Sequence, residues 1–423
     1  MLDPKFIREN PDIVRQALKD RNDKFDLDKF IALDEERRKL MRQIEGLSAS
    51  QNIIDSEMKN LLKEKKDIKA KIEEGRAIKK QLNELDGDFS KLEDEFTEQL
   101  QWIPNIPHVS IPKGHPSNNK VVKEWGSKRK FDFTPLDHIA LAEKLDIVDF
   151  KRAAKISGSN FVLFKGLGAR MERALINFML DLHTQKHGYK EIFPPMLVNE
   201  NSMHSTGQLP KLREDMYELQ NDELFLIPTA EVPVTNVHRS EVLREEDLPI
   251  YYTAYTACFR REAGSYGKDT KGLMRVHQFD KVEMVKFVKP ENSYDELEKL
   301  LNNACTVLEL LNIPYRVLML ATGDLSFAAA KCYDIEIYAP GIDKWLEVSS
   351  CSNFEDFQAR RGDIRYKDKE TGKLKFVHTL NGSGVALARL VVSIFENYQQ
   401  ADGAIMIPEV LRPYMGGLEK ISL

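Results

Sequence analysis

Apolar side chains recur every seven positions through much of the first hundred residues. Leu33, Leu40, Leu47, Ile54 and Leu61 form one series, and Phe30, Ile44 and Met58 a second, with Arg37 and Gln51 as polar interruptions. The two series lie three and four residues apart, the spacing of a heptad seam. Leu82, Phe89 and Phe96 beside Ile78, Leu85 and Leu92 repeat the arrangement, and no proline occurs between Gln16 and Gln101. The pattern predicts two long antiparallel helices, a coiled-coil hairpin reaching about 50 Å at 1.5 Å per residue. Its turn is expected within 64–71, where the seam loses phase. Residues 103–116, IPNIPHVSIPKGHP, hold four prolines. Proline fixes φ and removes an N–H donor, so the stretch predicts a linker. Beyond it, FVLF (161–164), LFLI (224–227), VEMVKFV (282–288) and YDIEIY (333–338) read as strands. Amphipathic helical patterns cover 168–187 and 293–311. Helices placed irregularly among strands predict an α+β domain with a largely antiparallel sheet. The expected organisation is a helical arm over 1–102, a proline-rich linker over 103–125 and a mixed domain over 126–423.

Composition narrows the classes. The 423 residues carry 62 Lys and Arg against 67 Asp and Glu, a net charge of −5 that makes no global case for nucleic-acid binding. A local exception exists: residues 59–80 hold nine Lys or Arg against four acids. On charge alone this reads equally as a solvated coiled-coil face or as a phosphate-contacting surface. The chain lacks an apolar run long enough to span a bilayer, so no membrane partner is expected. The start, MLDPKFIREN, is too charged for a secretory signal. Cys258, Cys305, Cys332 and Cys351 are scattered without a CxxC spacing. Neither a disulfide framework nor a structural zinc is expected, and a reducing cytoplasm fits.

The sequence contains neither GxxxxGK[ST] nor a GxGxxG that opens a helix after a strand, so Walker and Rossmann nucleotide sites are not expected. A nucleotide enzyme without those loops must neutralise phosphates with side chains and metal. Three segments offer such groups. CFRREAGSYGKDTKGLMRVHQFDKVEMVKF (258–287) sets arginines and a glycine-rich stretch before a strand, and alternation puts Arg275, His277 and Phe279 on one face. WLEVSSCSNFEDFQARR (345–361) offers Glu347 and Ser350 as oxygen ligands for a hard cation. LNGSGVALARL (380–390) reads as a glycine-rich turn leading into an apolar helix with Arg389. Taken singly, each of these residues is more simply a surface arginine, an exposed carboxylate, a turn serine or a core phenylalanine.

Together they resemble a known family. FRREAGSYGKDTKGLMRVHQFDKVE resembles the motif 2 strand–loop–strand of class II aminoacyl-tRNA synthetases, in the form seen in seryl-tRNA synthetases. LNGSGVALARL is similar to motif 3, and GYKEIFPPMLV (188–198), with Pro194 or Pro195, to the dimer-forming motif 1. IPTAEVPV (227–234) resembles the serine-specific TAE loop. MLDPKFIRENPDIVRQAL, the helical arm and IPEVLRPYMGG (407–417) resemble the bacterial-type seryl enzyme. The resemblance runs essentially end to end and in the family's order.

The resemblance implies a class II antiparallel sheet flanked by helices, with 126–423 as the catalytic domain. The activity it implies is serine–tRNA ligation: ATP and L-serine give seryl-adenylate, and serine passes to the 3′-terminal adenosine of tRNA(Ser), with tRNA(Sec) as a further acceptor. Arg260 is implied at the α-phosphate and serine carboxylate, Glu262 at the adenine amino group, and Phe279 against the adenine ring. Arg389 falls on the other face of adenine or near the γ-phosphate, and Arg275 at the bent triphosphate. Arg261, Val276, Val348 and Ser349 fall in the same ATP-contacting stretches. Glu347 and Ser350 would hold Mg²⁺. Thr229, Ala230 and Glu231, with Glu283 and Ser383, would enclose the serine. Lys63, Lys65, Lys66, Lys69 and Lys71 would meet the long variable arm of the tRNA, and a cytoplasmic homodimer is implied. Arg261, Tyr266, Cys332 and Ala388 depart from the usual serine, alanine, threonine and glycine, without removing a charge the reaction needs. Two other readings stand beside this one: a seryl-adenylate enzyme that loads a carrier protein, and a non-catalytic RNA-binding scaffold derived from a synthetase.

Overall fold

The computed structural model describes residues 1–263 and 271–423; Tyr266 and its neighbours in the glycine-rich stretch lie outside the described residues. The chain divides into two compact units. One comprises Leu2–Lys19 and Asp23–Pro104; the other comprises Asn105–Leu423 with Met1 and Asp20–Asn22.

In the first unit the heptad seam folds as a hairpin of two helices, Leu27–Lys63 and Lys69–Leu100. The Asp26 side chain accepts the Lys29 N–H and starts the first helix, satisfying one of its orphan donors. The seam residues Leu33, Ile54 and Phe96 are buried, and Leu40, Leu47, Leu61, Leu82 and Phe89 half-buried. The polar interruption Arg37 links the helices. It donates to Glu93 Oε2 at 2.7 Å, pairs with Asp34 and lies 4.2 Å over the Phe96 ring, which stacks on Phe30. At the turn, Lys63, Lys65, Lys66 and Lys69 are exposed. Lys71 differs from them: its ammonium lies 2.8 Å from both Glu57 and Glu74. Hydrogen bonds to those two carboxylates raise its pKa and occupy it locally.

The second unit is built on an eight-stranded sheet. Its strands in chain order are β1 (Lys120–Trp125), β2 (Lys190–Glu191), β3 (Ile250–Phe259), β4 (Gln278–Val288), β5 (Tyr315–Met319), β6 (Lys331–Ala339), β7 (Lys344–Asn353) and β8 (His378–Ala386). In space they run β1-β5-β6-β7-β8-β4-β3-β2. Every pairing is antiparallel except that of the short edge strand β2 with β3. Alternation along β4 divides its side chains between two layers. Val282, Met284 and Val288 join the main core with residues of helices Leu167–Gln185, Ser293–Leu310 and Leu387–Tyr398. Phe279, Lys281 and Glu283 take the opposite side. Gly382 on β8 is needed for helix packing, since a Cβ there would sit 2.9 Å from Cys351 Sγ and 3.2 Å from Leu300.

Three expectations change. The proline-rich stretch is no free tether: from Asn105 onward it is packed into the sheet unit, and residues 120–125 are its edge strand. Proline removes donors from this segment, and several of those that remain bond to the sheet unit; the Asn105 side chain donates to the carbonyls of Ala328 and Phe354, both at 2.9 Å. FVLF forms no strand, only a bridge between Phe164 and Val148. The supposed turn around Ser383 is strand β8 itself, carrying a bulge between Ser383 and Val385. Such a bulge re-aims side chains beside a site.

Candidate active site

A cavity of about 470 Å³ opens over the sheet face that carries Phe279 and Lys281. Thr229 and Glu231, the latter opening the short helix Glu231–Thr235, strands β4, β7 and β8, and the first turn of helix Leu387–Tyr398 contribute to its wall. Of the residues expected from sequence, Thr229, Glu231, Arg260, Glu262, Arg275, Val276, Phe279, Glu347, Val348, Ser349, Ser350, Ser383 and Arg389 line it. Ala230, Arg261 and Glu283 do not. Ala230 is fully buried in an apolar cluster with Val234 and Phe287. Arg261 is exposed, and its backbone N–H is directed to the Asp215 carbonyl at 2.9 Å. Glu283 lies beneath the wall, held down by its partners.

Those partners form a buried polar network. Glu283 pairs with Lys281, accepts the Asn381 amide at 2.9 Å and accepts the Thr229 hydroxyl at 3.3 Å. Lys281 also donates to Thr229 Oγ1 at 2.7 Å, and the Glu231 backbone N–H reaches the same oxygen at 3.2 Å. Burial of such groups is tolerable only when each finds a partner. Glu231 has a thinner shell: its Oε1 accepts from Gln358 at 2.6 Å. Burial, and then the charge of Glu283, pushes its pKa up to about 7. It is the group in this part of the cavity whose charge is least compensated.

Arginines collect on the neighbouring wall. The Arg260 guanidinium lies 5.2 Å from the Phe279 ring centre, and its Nε donates to the Pro228 carbonyl at 3.2 Å. Arg275 pairs with Glu262 at 2.9 Å. Arg389 donates to the carbonyls of Glu347 at 2.7 Å and Met274 at 3.3 Å. These cations beside an aromatic ring suit an anion attached to a flat heterocycle.

On β6 and β7, Ser350 donates to Asp334 Oδ1 at 2.7 Å and lies 3.3 Å from Glu347 Oε1. Burial, then the Glu347 charge, pushes the Asp334 pKa up to about 7. Two mutually repelling carboxylates and a hydroxyl are hard oxygen donors and fit a divalent cation. They are too few for a complete cage: among the described residues no group of three or more His, Cys, Asp or Glu could hold a metal.

Lys281, Asn381, Gln358 and Asp334 were not found from sequence. Only Lys281 left a signal there, since it sits between Phe279 and Glu283 on the alternating face of one strand. The other three come from elements remote in the chain and meet only in the fold. All four cysteines are buried and free, and no helix of the described residues is long and apolar enough to cross a membrane.

The chain is similar to known proteins along its whole length. Residues 1–107 match the Seryl-tRNA synthetase N-terminal domain, and residues 216–398 the tRNA synthetase class II core domain (G, H, P, S and T). The Serine–tRNA ligase of Carboxydothermus hydrogenoformans is 55% identical over 98% of both chains, and that of Geotalea uraniireducens 54% identical over 100% of both. Among solved structures, the seryl-tRNA synthetase of Pyrococcus horikoshii complexed with ATP superposes with a TM-score of 0.94 at 37% identity, covering 100% of this chain and 99% of that one. The cytoplasmic enzyme of Naegleria fowleri in complex with AMP gives 0.88 at 30% identity, with the same coverage.

Proposed function

The chain belongs to the seryl-tRNA synthetase family and is an ATP-dependent serine–tRNA ligase, and from that premise we propose how its cavity handles the two substrates. The observation that carries the assignment is the shared cavity itself, with Arg260 beside Phe279 on one wall and Thr229 and Glu231 on the other. Adenine stacks on Phe279 with its amino group toward Glu262. The phosphates lie among Arg260, Arg275 and Arg389. Serine sits over Thr229 with its carboxylate toward Arg260. Its ammonium goes to Glu231, because Glu283 is already engaged by Lys281, Asn381 and Thr229. Ser383 lines this pocket, Ala230 and Glu283 shape it from behind, and Val276, Val348 and Ser349 flank the nucleotide.

Serine's carboxylate is ionised at neutral pH, its pKa being about 3.5. Activation therefore needs no general base; it needs two anions brought together. Negative charge gathers on the α-phosphoryl oxygens in the transition state, and preorganised guanidinium groups stabilise that charge more than they stabilise separated substrates. Arginine suits the task because it stays protonated and binds bidentately. Glu347 and Ser350, with Asp334, would hold Mg²⁺, its remaining ligands coming from phosphate oxygens and water; bound there, the ion would supply further neutralisation of phosphate charge. A small pocket excludes larger side chains. Groups built to hydrogen-bond the serine hydroxyl reject alanine, a kind of discrimination that reaches about 10⁴-fold without editing.

The second step transfers serine to the 3′-terminal adenosine of tRNA(Ser), and of tRNA(Sec) as well. Lys63, Lys65, Lys66 and Lys69 contact the phosphates of the long variable arm; Lys71, held by Glu57 and Glu74, contributes less. A homodimer is supported by the two-residue edge strand β2 and by Phe193, 74% exposed beside Pro194. Such an unpaired edge with an apolar neighbour invites a second copy. The working compartment is the cytoplasm. The carrier-loading and scaffold readings are not favoured, since full-length relatives at this identity carry the ligase name. Pyrophosphate exchange into ATP tested across the amino acids should respond to serine alone, with serylation of tRNA following. Folded protein showing neither would overturn the assignment.

A further inference from the structure

We propose that His138 is a positioning residue for ATP activation: it ties helix Leu387–Tyr398 to the segment Leu273–Val276 and thereby fixes Arg275 and Val276 at the nucleotide. The imidazole is 2% exposed and sits at the start of helix His138–Lys144. Its Nδ1 lies 3.0 Å from Glu396 Oε1, and its Nε2 accepts the Leu273 backbone N–H at 3.3 Å. Glu396 is itself fully buried and accepts three backbone N–H groups, from His138 at 3.0 Å, Gly341 at 2.8 Å and Ile342 at 3.3 Å. A carboxylate so surrounded cannot turn, and an acceptor at Nδ1 assigns that nitrogen the proton. The Nε2 lone pair is left for Leu273.

The same helix grips the next peptide from its other end, where Arg389 Nε donates to the Met274 carbonyl at 3.3 Å. Consecutive residues are thus tied to one helix, Leu273 by its N–H through His138 and Met274 by its C=O directly. The backbone is pressed against the ring just before this point. Gly272 has φ +68°, and a Cβ there would fall 2.4 Å from His138 Nε2 and 2.8 Å from Ile139 Cγ1. Leu273, Met274, Arg275 and Val276 all line the cavity, whereas His138 and Glu396 do not touch it. The role is therefore exerted through the backbone of 273–276.

This inference rests on the assignment of Arg275 and Arg389 to ATP, so Arg275→Ala and Arg389→Ala are measured alongside; if neither raises the KM for ATP, that assignment fails independently of His138. The discriminating pair is His138→Asn and His138→Gln in the full chain. Asparagine puts its amide near the Nδ1 position and keeps a donor for Glu396 but loses the acceptor for Leu273. Glutamine reaches the Nε2 position and restores that acceptor but gives up the donor for Glu396. In serine-dependent pyrophosphate exchange, His138→Asn should raise the KM for ATP about tenfold and leave the KM for serine within about twofold, while His138→Gln, which still receives Leu273 but is no longer held by Glu396, should show a smaller rise in the KM for ATP. An unchanged KM for ATP in folded His138→Asn, equal losses in both variants, or equal effects on both substrates would overturn the proposal. If the histidine variants do not fold, Gly272→Ala tests the contact from its other side with the His138–Glu396 pair retained. A raised KM for ATP alone supports the role, and native kinetics refute it.

Discussion

Arg260 and Glu231 concentrate opposite demands on single side chains. In the proposed arrangement Arg260 meets charge that builds up in the transition state, so Arg260→Ala should lower serine-dependent exchange by about 10³-fold or more, with the thermal midpoint little changed; near-native exchange would remove its proposed α-phosphate role. Glu231 titrates near neutrality because burial disfavours its charge. Below that point its carboxyl is neutral and attracts serine's ammonium weakly. The KM for serine should therefore fall as pH rises from about 6 to 8, and Glu231→Gln should abolish the trend, weakening serine binding strongly at pH 8 and little near pH 6. A flat native profile would contradict the ammonium assignment. The same shift has a stability consequence. The unfolded carboxyl loses its proton first as pH rises, so the folded apo state is progressively disfavoured from the ordinary carboxylate range up to about 7 and stays so above it. Glu231→Gln should gain on the order of 1–3 kcal/mol relative to the native protein at pH 8, and little at pH 5, read by denaturant unfolding of the ligand-free enzyme.

The helical hairpin was legible because its signal is repetitive. A 3.5-residue apolar period over several heptads specifies two helices and their facing sides, and even the interruption at Arg37 proved to be a cross-helix link. Gly46 and Gly87 lie in these helices with nothing within 4 Å of an added Cβ. Gly46→Ala and Gly87→Ala should each stabilise the arm by about 0.5–1 kcal/mol, seen as slower amide exchange across 27–100; faster exchange would mean that the glycines serve a bend. Function at this scale is expected to be separable. Phe30 near the start of the first helix stacks on Phe96 near the end of the second, with ring centres 5.1 Å apart, so a short turn can replace residues 27–100. Such a deletion should retain serine-dependent exchange and lose most tRNA charging; loss of both would deny that the arm serves the tRNA alone. Replacing Lys63, Lys65, Lys66 and Lys69 together by alanine should weaken charging and reduce its salt dependence, whereas Lys71→Ala should do little.

Across the whole molecule, what could be read from sequence divides by the range of the contacts involved. Local periodicity gave the arm and two strands of the main sheet, β4 and β6, and the family's motifs gave the cavity-lining arginines, Phe279 and the TAE loop. Groups that owe their place to distant partners left no such trace. Gln358 reaches Glu231 across 127 positions, and His138 reaches Glu396 across 258. The proline-rich stretch misled for a related reason: its composition excludes helix and sheet interior but says nothing of the carbonyls that Asn105 would find. The proposed residue roles converge on one arrangement, in which fixed cations on a sheet would hold an amino-acid carboxylate against a nucleotide phosphate. A crystal structure with a non-hydrolysable seryl-adenylate analogue tests it most directly. Adenine is expected on Phe279, the phosphate mimic within hydrogen-bond reach of Arg260 and the serine ammonium at Glu231; an analogue bound elsewhere, or an Arg260 turned to bulk solvent, would refute that arrangement.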